Sequence, residues 1–258
     1  MTNQRVRRVT LRHWQGAAVD LTVYAPGGHQ PWHAHDIPSV SLLLWGGVRE
    51  TTARRDAVTD VGSVCLKSPS LPHTNIYGPQ GAGLLSIKIT DAGLWTFPPD
   101  ARGWHALDQP SRDAVLGLIL RPRSKPGEVL HELVALAAPL PRPHTLPPAW
   151  LVRVHERLAH DPETPTILQL ASEHGVHPVH LARTFLAWFG EAPSVYRHRR
   201  MTARALRSAL IDGAPAAMAA CEAGFADQSH MARSIRRQTG HSMTELKRFF
   251  GPVASVQE

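Results

Sequence analysis

Two groups of residues in this chain have types and spacings suited to chemistry. The first lies in two echoing segments, His180-Leu-Ala-Arg-Thr-Phe185 and His230-Met-Ala-Arg-Ser-Ile235, which match position by position at an offset of 50. Arginine can pair two hydrogen bonds with guanine and glutamine two with adenine, so Arg183, Arg233 and Gln228 are candidate base readers. The second group is His33, His35 and His73, three imidazoles that could ligate a transition metal. His29, four residues before His33, is a candidate fourth ligand.

The elements that must position the first group follow from the repeat. Gly190 and Gly240 keep the offset of 50, whereas Ala171 to Gly175 and Ala220 to Gly224 keep one of 49, so one residue is inserted between them. Each copy reads as a short apolar helix, a turn containing glycine and a second, amphipathic helix. That is helix-turn-helix order, in which the second helix enters a DNA major groove. In the helix expected at 178–189, Leu181, Phe185 and Trp188 share one face and should pack inward. Val179, Ala182, Arg183 and Leu186 are left outward. In the helix expected at 228–238, Met231 and Ile235 point inward, leaving Gln228, Ser229, Ala232, Arg233 and Arg236 outward. Val179 and Ala182 can offer apolar contact only, for instance to thymine methyls. His180 and His230 sit beside the inward face and are suited to phosphate contact or to packing.

These residues, with Gly224-Phe-Ala-Asp-Gln-Ser-His230 and Gly240-His-Ser-Met-Thr-Glu-Leu-Lys-Arg248, resemble the AraC/XylS family of bacterial transcription regulators. The resemblance covers about 110 C-terminal residues, as two motifs at a defined separation. It implies a double-stranded DNA partner, a homodimer, a small-molecule effector and RNA polymerase as a further partner. Its aromatic or bulky positions are Met231 and Ile235 here, and its usual proline after Gly240 is Met243, while Pro193 is retained in the first copy. Asp227 is placed to cap the second reading helix.

Composition bounds the rest. With 258 residues the chain can hold two domains, and no apolar run approaches a membrane span. The N-terminus has basic residues without a following apolar segment, so a cytoplasmic location is expected. Cys65 and Cys221 read as reduced core residues. The net charge of +7 favours a polyanion, yet residues 146–258 hold 13 Lys+Arg against 10 Asp+Glu, and residues 1–145 hold 15 against 11. Only local placement distinguishes the C-terminal half, where Arg197, Arg199, Arg200, Arg204 and Arg207 cluster between the motifs.

Residues 8–105 read as short strands at 18–24, 39–45, 48–52, 63–66 and 84–89, with turns at Gly27-Gly28, Gly46-Gly47 and 79–83. Such spacing suggests a barrel or jelly roll. Gly27 to His35 and Gly62 to His73 resemble the two cupin motifs. The expected glutamate is replaced by Ser39 or Val40, the Pro and Gly of the second motif by Ser68 and Ser70, and its asparagine by Tyr77. A metal could sit at His33, His35 and His73, although the resemblance implies that such sensors usually work without a cofactor. Trp32, His33, His35, Trp45, His73 and Tyr77 are candidates to line an effector pocket.

The expected fold class is α+β in two domains. Residues 1–108 form the cupin-like sensor barrel and 109–138 a helical pair, packed on the barrel or forming a dimer interface. Residues 139–148 form a stiff proline-rich linker, and 149–258 the DNA-binding domain. The leading reading is a non-enzymatic, effector-responsive regulator. The rival is a metal-dependent cupin enzyme with an accessory helical domain. No nucleophilic triad, phosphate-binding loop or dinucleotide fingerprint appears.

Overall fold

The computed structural model describes residues 6–53, 55–59, 61–95, 102–107, 109–120, 124–136, 147–161 and 165–254, so most of the linker expected at 139–148 lies outside the described residues. The chain divides into two compact units, Met1–Pro139 with Thr239–Glu258, and Leu140–Gln238.

The first unit holds β1 (Val6–Trp14), β2 (Ala17–Tyr24), β3 (His29–His33), β4 (Ser39–Thr52), β5 (Asp56–Thr59), β6 (Ser63–Lys67), β7 (His73–Ile89) and β8 (Gly103–Ala106). All pairings among them are antiparallel. The order is β1-β2-β7-β4-β6-β8, with β3 on β7 and β5 on β4. The long strands β4 and β7 are each shared along their length. The second half of β7 runs beside β2, and its first four residues run beside β3. Buried Val19, Leu21, Val40, Leu42, Leu66, Leu85, Ile87 and Ile89 alternate along their strands to build the core.

Two expected turns are strand interior instead. Gly46-Gly47 lies within β4, where the register with β7 shifts between Leu43 and Trp45 and again between Gly46 and Val48. Residues 79–83 lie within β7. A Cβ on Gly46 would stand 1.9 Å from the Gly81 carbonyl oxygen, and one on Gly83 would stand 2.2 Å from the Trp45 ring. These glycines serve close approach within a bent sheet, which looks like turn composition in one dimension.

Helices α1 (Gln109–Leu120) and α2 (Pro126–Leu136) match the expected pair. Val115, Ile119, Leu120, Val129, Leu130 and Leu133 are buried within the chain itself, so this apolar stripe already has its partners. Arg12 of β1 donates to the Ile119 carbonyl at 3.0 Å and to Ser124 Oγ at 2.9 Å. It thereby satisfies a carbonyl that the end of α1 leaves open.

The second unit contains α3 (Ala149–His160), α4 (Ile167–Glu173), α5 (Pro178–Phe189), α6 (Pro193–Leu210), α7 (Ala216–Glu222) and most of α8 (Gln228–Thr239); α9 (Met243–Ala254) follows. The duplication is written in hydrogen bonds. Val176 N–H donates to Ala171 O at 3.0 Å and Phe225 N–H to Ala220 O at 2.9 Å. Gly175 N–H reaches Ser172 O at 3.1 Å and Gly224 N–H reaches Cys221 O at 3.0 Å. Each closes the first helix with a left-handed glycine, at φ 62° for Gly175 and 85° for Gly224. Gly190 and Gly240 likewise follow the second helices at φ 75° and 72°.

Candidate functional site

The two reading helices are oriented by their cores. Leu181 and Phe185 of α5 are buried with Leu151, Val154, Leu158 and Tyr196, and Trp188 packs against that cluster. Met231 and Ile235 of α8 are buried in the same manner. A hydrogen bond of 2.9 Å between Thr202 Oγ1 and Ser234 Oγ ties α8 to α6 in the buried interior. On the outward side, Val179, His180, Arg183 and Leu186 of α5 are exposed, with Ala182 half-buried. On α8 the exposed residues are Gln228, Ser229, Ala232, Arg233, Arg236 and Arg237. His230 is half-buried, its ring edge-on to Phe225 at 5.2 Å and 5.9 Å from His198. It belongs to the packing side of the helix.

Each helix start is capped. Asp227 Oδ1 accepts the His230 N–H at 2.7 Å, and this bond holds its carboxyl below the usual range. His177 Nδ1 accepts the Val179 N–H at 3.3 Å, and Pro178 opens α5. With 18 residues, α6 between the motifs is about 27 Å long at 1.5 Å per residue.

Three arginines of the cluster between the motifs, Arg199, Arg200 and Arg204, have a different role from the one the sequence suggests. Arg200 is 2% exposed, and its Nη2 donates to the Ala159 carbonyl at 2.9 Å. Arg204 Nη1 donates to the Asp161 carbonyl at 2.9 Å. Burial, then the neighbouring Arg200, lowers the Arg204 guanidinium to about 10. Arg199 pairs with Glu191 and lies over the Tyr196 ring at 4.9 Å. Arg200 and Arg204 thus satisfy the open carbonyls and negative dipole end of α3, and these three arginines hold the domain together.

In the sheet, β3 and β7 pair His33 with His73 directly. His35 follows two residues later, and its carbonyl accepts the Ser70 N–H at 2.8 Å, which brings the two loops together. Ser70 stands at φ 57° in the position of the motif glycine. The three imidazoles pack with ring centroids 4.3 to 5.1 Å apart, and one ligand atom from each lies within 4.8 Å of the others. His33 Nδ1–H donates to the Pro31 carbonyl at 2.7 Å and His73 Nδ1–H to the Leu71 carbonyl at 2.9 Å. Both Nε2 atoms therefore carry lone pairs. His33 Nε2 is buried and has no hydrogen-bond partner among the described residues. His29 instead bonds Thr74 Oγ1 at 3.1 Å and stands outside the cluster.

Sequence reasoning missed two members of this site. Lys67, at the end of β6, donates to His73 Nε2 at 2.9 Å, and its Nζ lies 2.6 Å from Glu50 Oε2. Both are largely buried, with side chains 12% and 6% exposed. Burial first, and then the Lys67 charge, pushes His35 down to about 4 and lowers His73 as well. A lysine and a glutamate on separate strands carry no spacing signal, so only the curled sheet could reveal them.

A metal fits the donor types but not their present engagement. A tetrahedral ion with bonds of about 2.0–2.1 Å would draw its donors to about 3.4 Å from one another. The cluster is looser, and one lone pair is already given to an ammonium. A unit charge about 4 Å from that ammonium would be repelled by about 4 kcal/mol at an effective dielectric of 20.

The other expected pocket residues divide. Tyr77 is buried, stacks on Tyr24 at 4.0 Å and donates to Gln30 Oε1 at 2.7 Å. Trp45 is buried against Gly83. Trp32 is 57% exposed, because it alternates with inward His33 on an edge strand, and it lines no interior. Cys65 is buried as expected, but Cys221 is exposed on the outer side of α7.

Residues 170–248 match the family model for a helix-turn-helix domain. No curated protein sequence matches the chain. Among solved structures, the chain is similar to an RmlC-like cupin from Shewanella frigidimarina NCIMB 400, at 17% identity and a TM-score of 0.32 over 36% of this chain and 82% of that one. A cupin superfamily protein from Desulfitobacterium hafniense DCB-2 aligns at 18% identity and a TM-score of 0.30, over 34% of this chain and 79% of its own. An oxalate decarboxylase from Bacillus subtilis aligns at 23% identity and a TM-score of 0.29, over 34% of this chain and 25% of its own. Among the described residues no helix is long and apolar enough to cross a membrane. An antiparallel sheet thus precedes a helix-turn-helix domain at residues 170–248.

Proposed function

We propose that this protein is a sequence-specific, double-stranded-DNA-binding transcription regulator without enzymatic activity, working in the cytoplasm as a homodimer and answering to a small-molecule effector in the N-terminal barrel. One observation carries the reading: two helix-turn-helix copies share their closing hydrogen bonds, and each turns an exposed arginine outward, Arg183 and Arg233. Val179, Ala182 and Arg183 would face one major groove, and Gln228, Ser229, Arg233 and Arg236 the next, one DNA turn of about 34 Å away. Exposed His180 would approach the phosphates, whereas His230 caps the packing beneath its helix. Effector binding among His33, His35, His73 and Tyr77 would shift the population of DNA-competent states, with RNA polymerase as the downstream partner. The stripe of α1 and α2 is already buried, so a second copy would dock on another face of these helices or elsewhere.

Selection of bound duplexes from a random library tests the reading. The expected result is one enriched site with two blocks about one helical turn apart and salt-dependent affinity. Binding without sequence preference would overturn it. The rival, a metal-dependent cupin enzyme, has the histidine cluster in its favour, and the lysine seated on His73 stands against it.

A further inference from the structure

We propose that Lys67 is the resident cation of the His33, His35 and His73 cluster and that it closes this cluster to divalent metal. The available lone pairs decide what the cluster can hold. The Nδ1–H groups of His33 and His73 are spent on backbone carbonyls, so both rings hold Nε2 lone pairs, as a metal ligand must. His33 Nε2 is buried and unpartnered among the described residues, while His73 Nε2 accepts from Lys67 Nζ at 2.9 Å. The same ammonium lies 2.6 Å from Glu50 Oε2. Glu50 is 5% exposed and sits on β4 opposite Asn75 of β7 and Ala57 of β5.

Lys67 therefore cannot swing out to solvent without stranding a buried carboxylate and baring His73. An arriving cation would either force both events or meet a fixed positive charge beside one of its own ligands. A single nitrogen separates the Glu50 carboxylate from His73 Nε2. Removing the ammonium would leave three imidazoles with a carboxylate beside them, a set suited to zinc or cobalt. Lys67 holds the place of a metal, and the carboxylate serves the lysine.

The test titrates the untagged full-length protein, stripped of metal, with Co²⁺ and reads the visible ligand-field bands of tetrahedral cobalt. The expected result is that the wild type binds Co²⁺ no more tightly than His33→Ala, while Lys67→Met gains about 100-fold or more in affinity. Adding Glu50→Gln to Lys67→Met should take back much of that gain. Lys67→Gln, which keeps a hydrogen-bonding partner for Glu50, replaces Lys67→Met if that variant loses its native near-ultraviolet dichroism. Stoichiometric cobalt in the wild type that His33→Ala abolishes overturns the proposal. So does a folded Lys67 variant that takes up no cobalt, since something other than the ammonium would then bar the site.

Discussion

The two helix-turn-helix copies differ where it matters for reading and agree where it matters for folding. Leu181 and Phe185 correspond to Met231 and Ile235 at an offset of 50, all buried, and the turn hydrogen bonds recur at an offset of 49. The outward faces diverge. Along α5 the exposed series includes Val179 and Leu186, each 50% exposed, with Arg183 between them. The matching positions of α8 are Ser229 and Arg236 around Arg233, with Gln228 in front. The two copies share a scaffold and differ in surface chemistry. The second head has several hydrogen-bonding groups for base edges and phosphates, and the first has chiefly one arginine and apolar surface.

The largest effect should test the shared scaffold. Phe185→Ala should destabilise the protein by about 3–5 kcal/mol and Ile235→Ala by about 2–5 kcal/mol, through lost burial and residual cavity. Urea denaturation checks both. If one substitution were silent, the two cores would not be equivalent, and one copy would be a passive remnant.

Next in size comes reading itself. Arg233→Ala should weaken binding to a selected operator by about 1–3 kcal/mol, a factor of roughly 5 to 150, with the domain still folded. Arg183→Ala should lose affinity as well, and the loss should concentrate in its own half of the site. Gel-shift titration against half-site variants separates the two. Unchanged affinity for both variants would remove these helices from the interface.

Much of this comparison was legible in the sequence, because helical faces follow a fixed period and the repeat doubles every clue. Leu181, Phe185, Met231 and Ile235 fell inward as expected, and the Asp227 cap formed. The strand region was harder. Gly46-Gly47 and 79–83 have turn composition, but the glycines permit contact between β4 and β7, a partnership more than thirty residues apart in the chain. Lys67 and Glu50 were invisible for the same reason, since their pairing depends on how the sheet curls. Arg199, Arg200 and Arg204 misled in the opposite sense. Their density suggests a DNA face, whereas their guanidinium groups serve internal partners.

A smaller effect probes the turns. Gly190 and Gly240 both take left-handed backbone, and among the described residues a Cβ at either would meet nothing within 4 Å. Alanine at either position should therefore cost only the conformational penalty of about 1–2 kcal/mol. Thermal melts should show equal losses. A marked inequality would mean that one loop is held by something the duplicated scaffold does not share.

The smallest difference lies at the two helix starts, where the copies use different chemistry for one task. Asp227 caps α8 with a carboxylate at 2.7 Å, whereas His177 caps α5 with an imidazole nitrogen at 3.3 Å. A carboxylate also complements the positive end of the helix dipole, so Asp227→Ala should lower the melting temperature slightly more than His177→Ala at neutral pH. The pH dependence identifies the cause. The Asp227 carboxyl is lowered in the folded protein, chiefly by the His230 N–H, so its contribution is present above the ordinary aspartate range and lost as pH falls through the folded value. Melts of wild type and Asp227→Ala should converge in acid, once both states hold the proton. A gap that persisted there would show that the neutral side chain, through its hydrogen bond to the His230 N–H, supports the helix start rather than the charge.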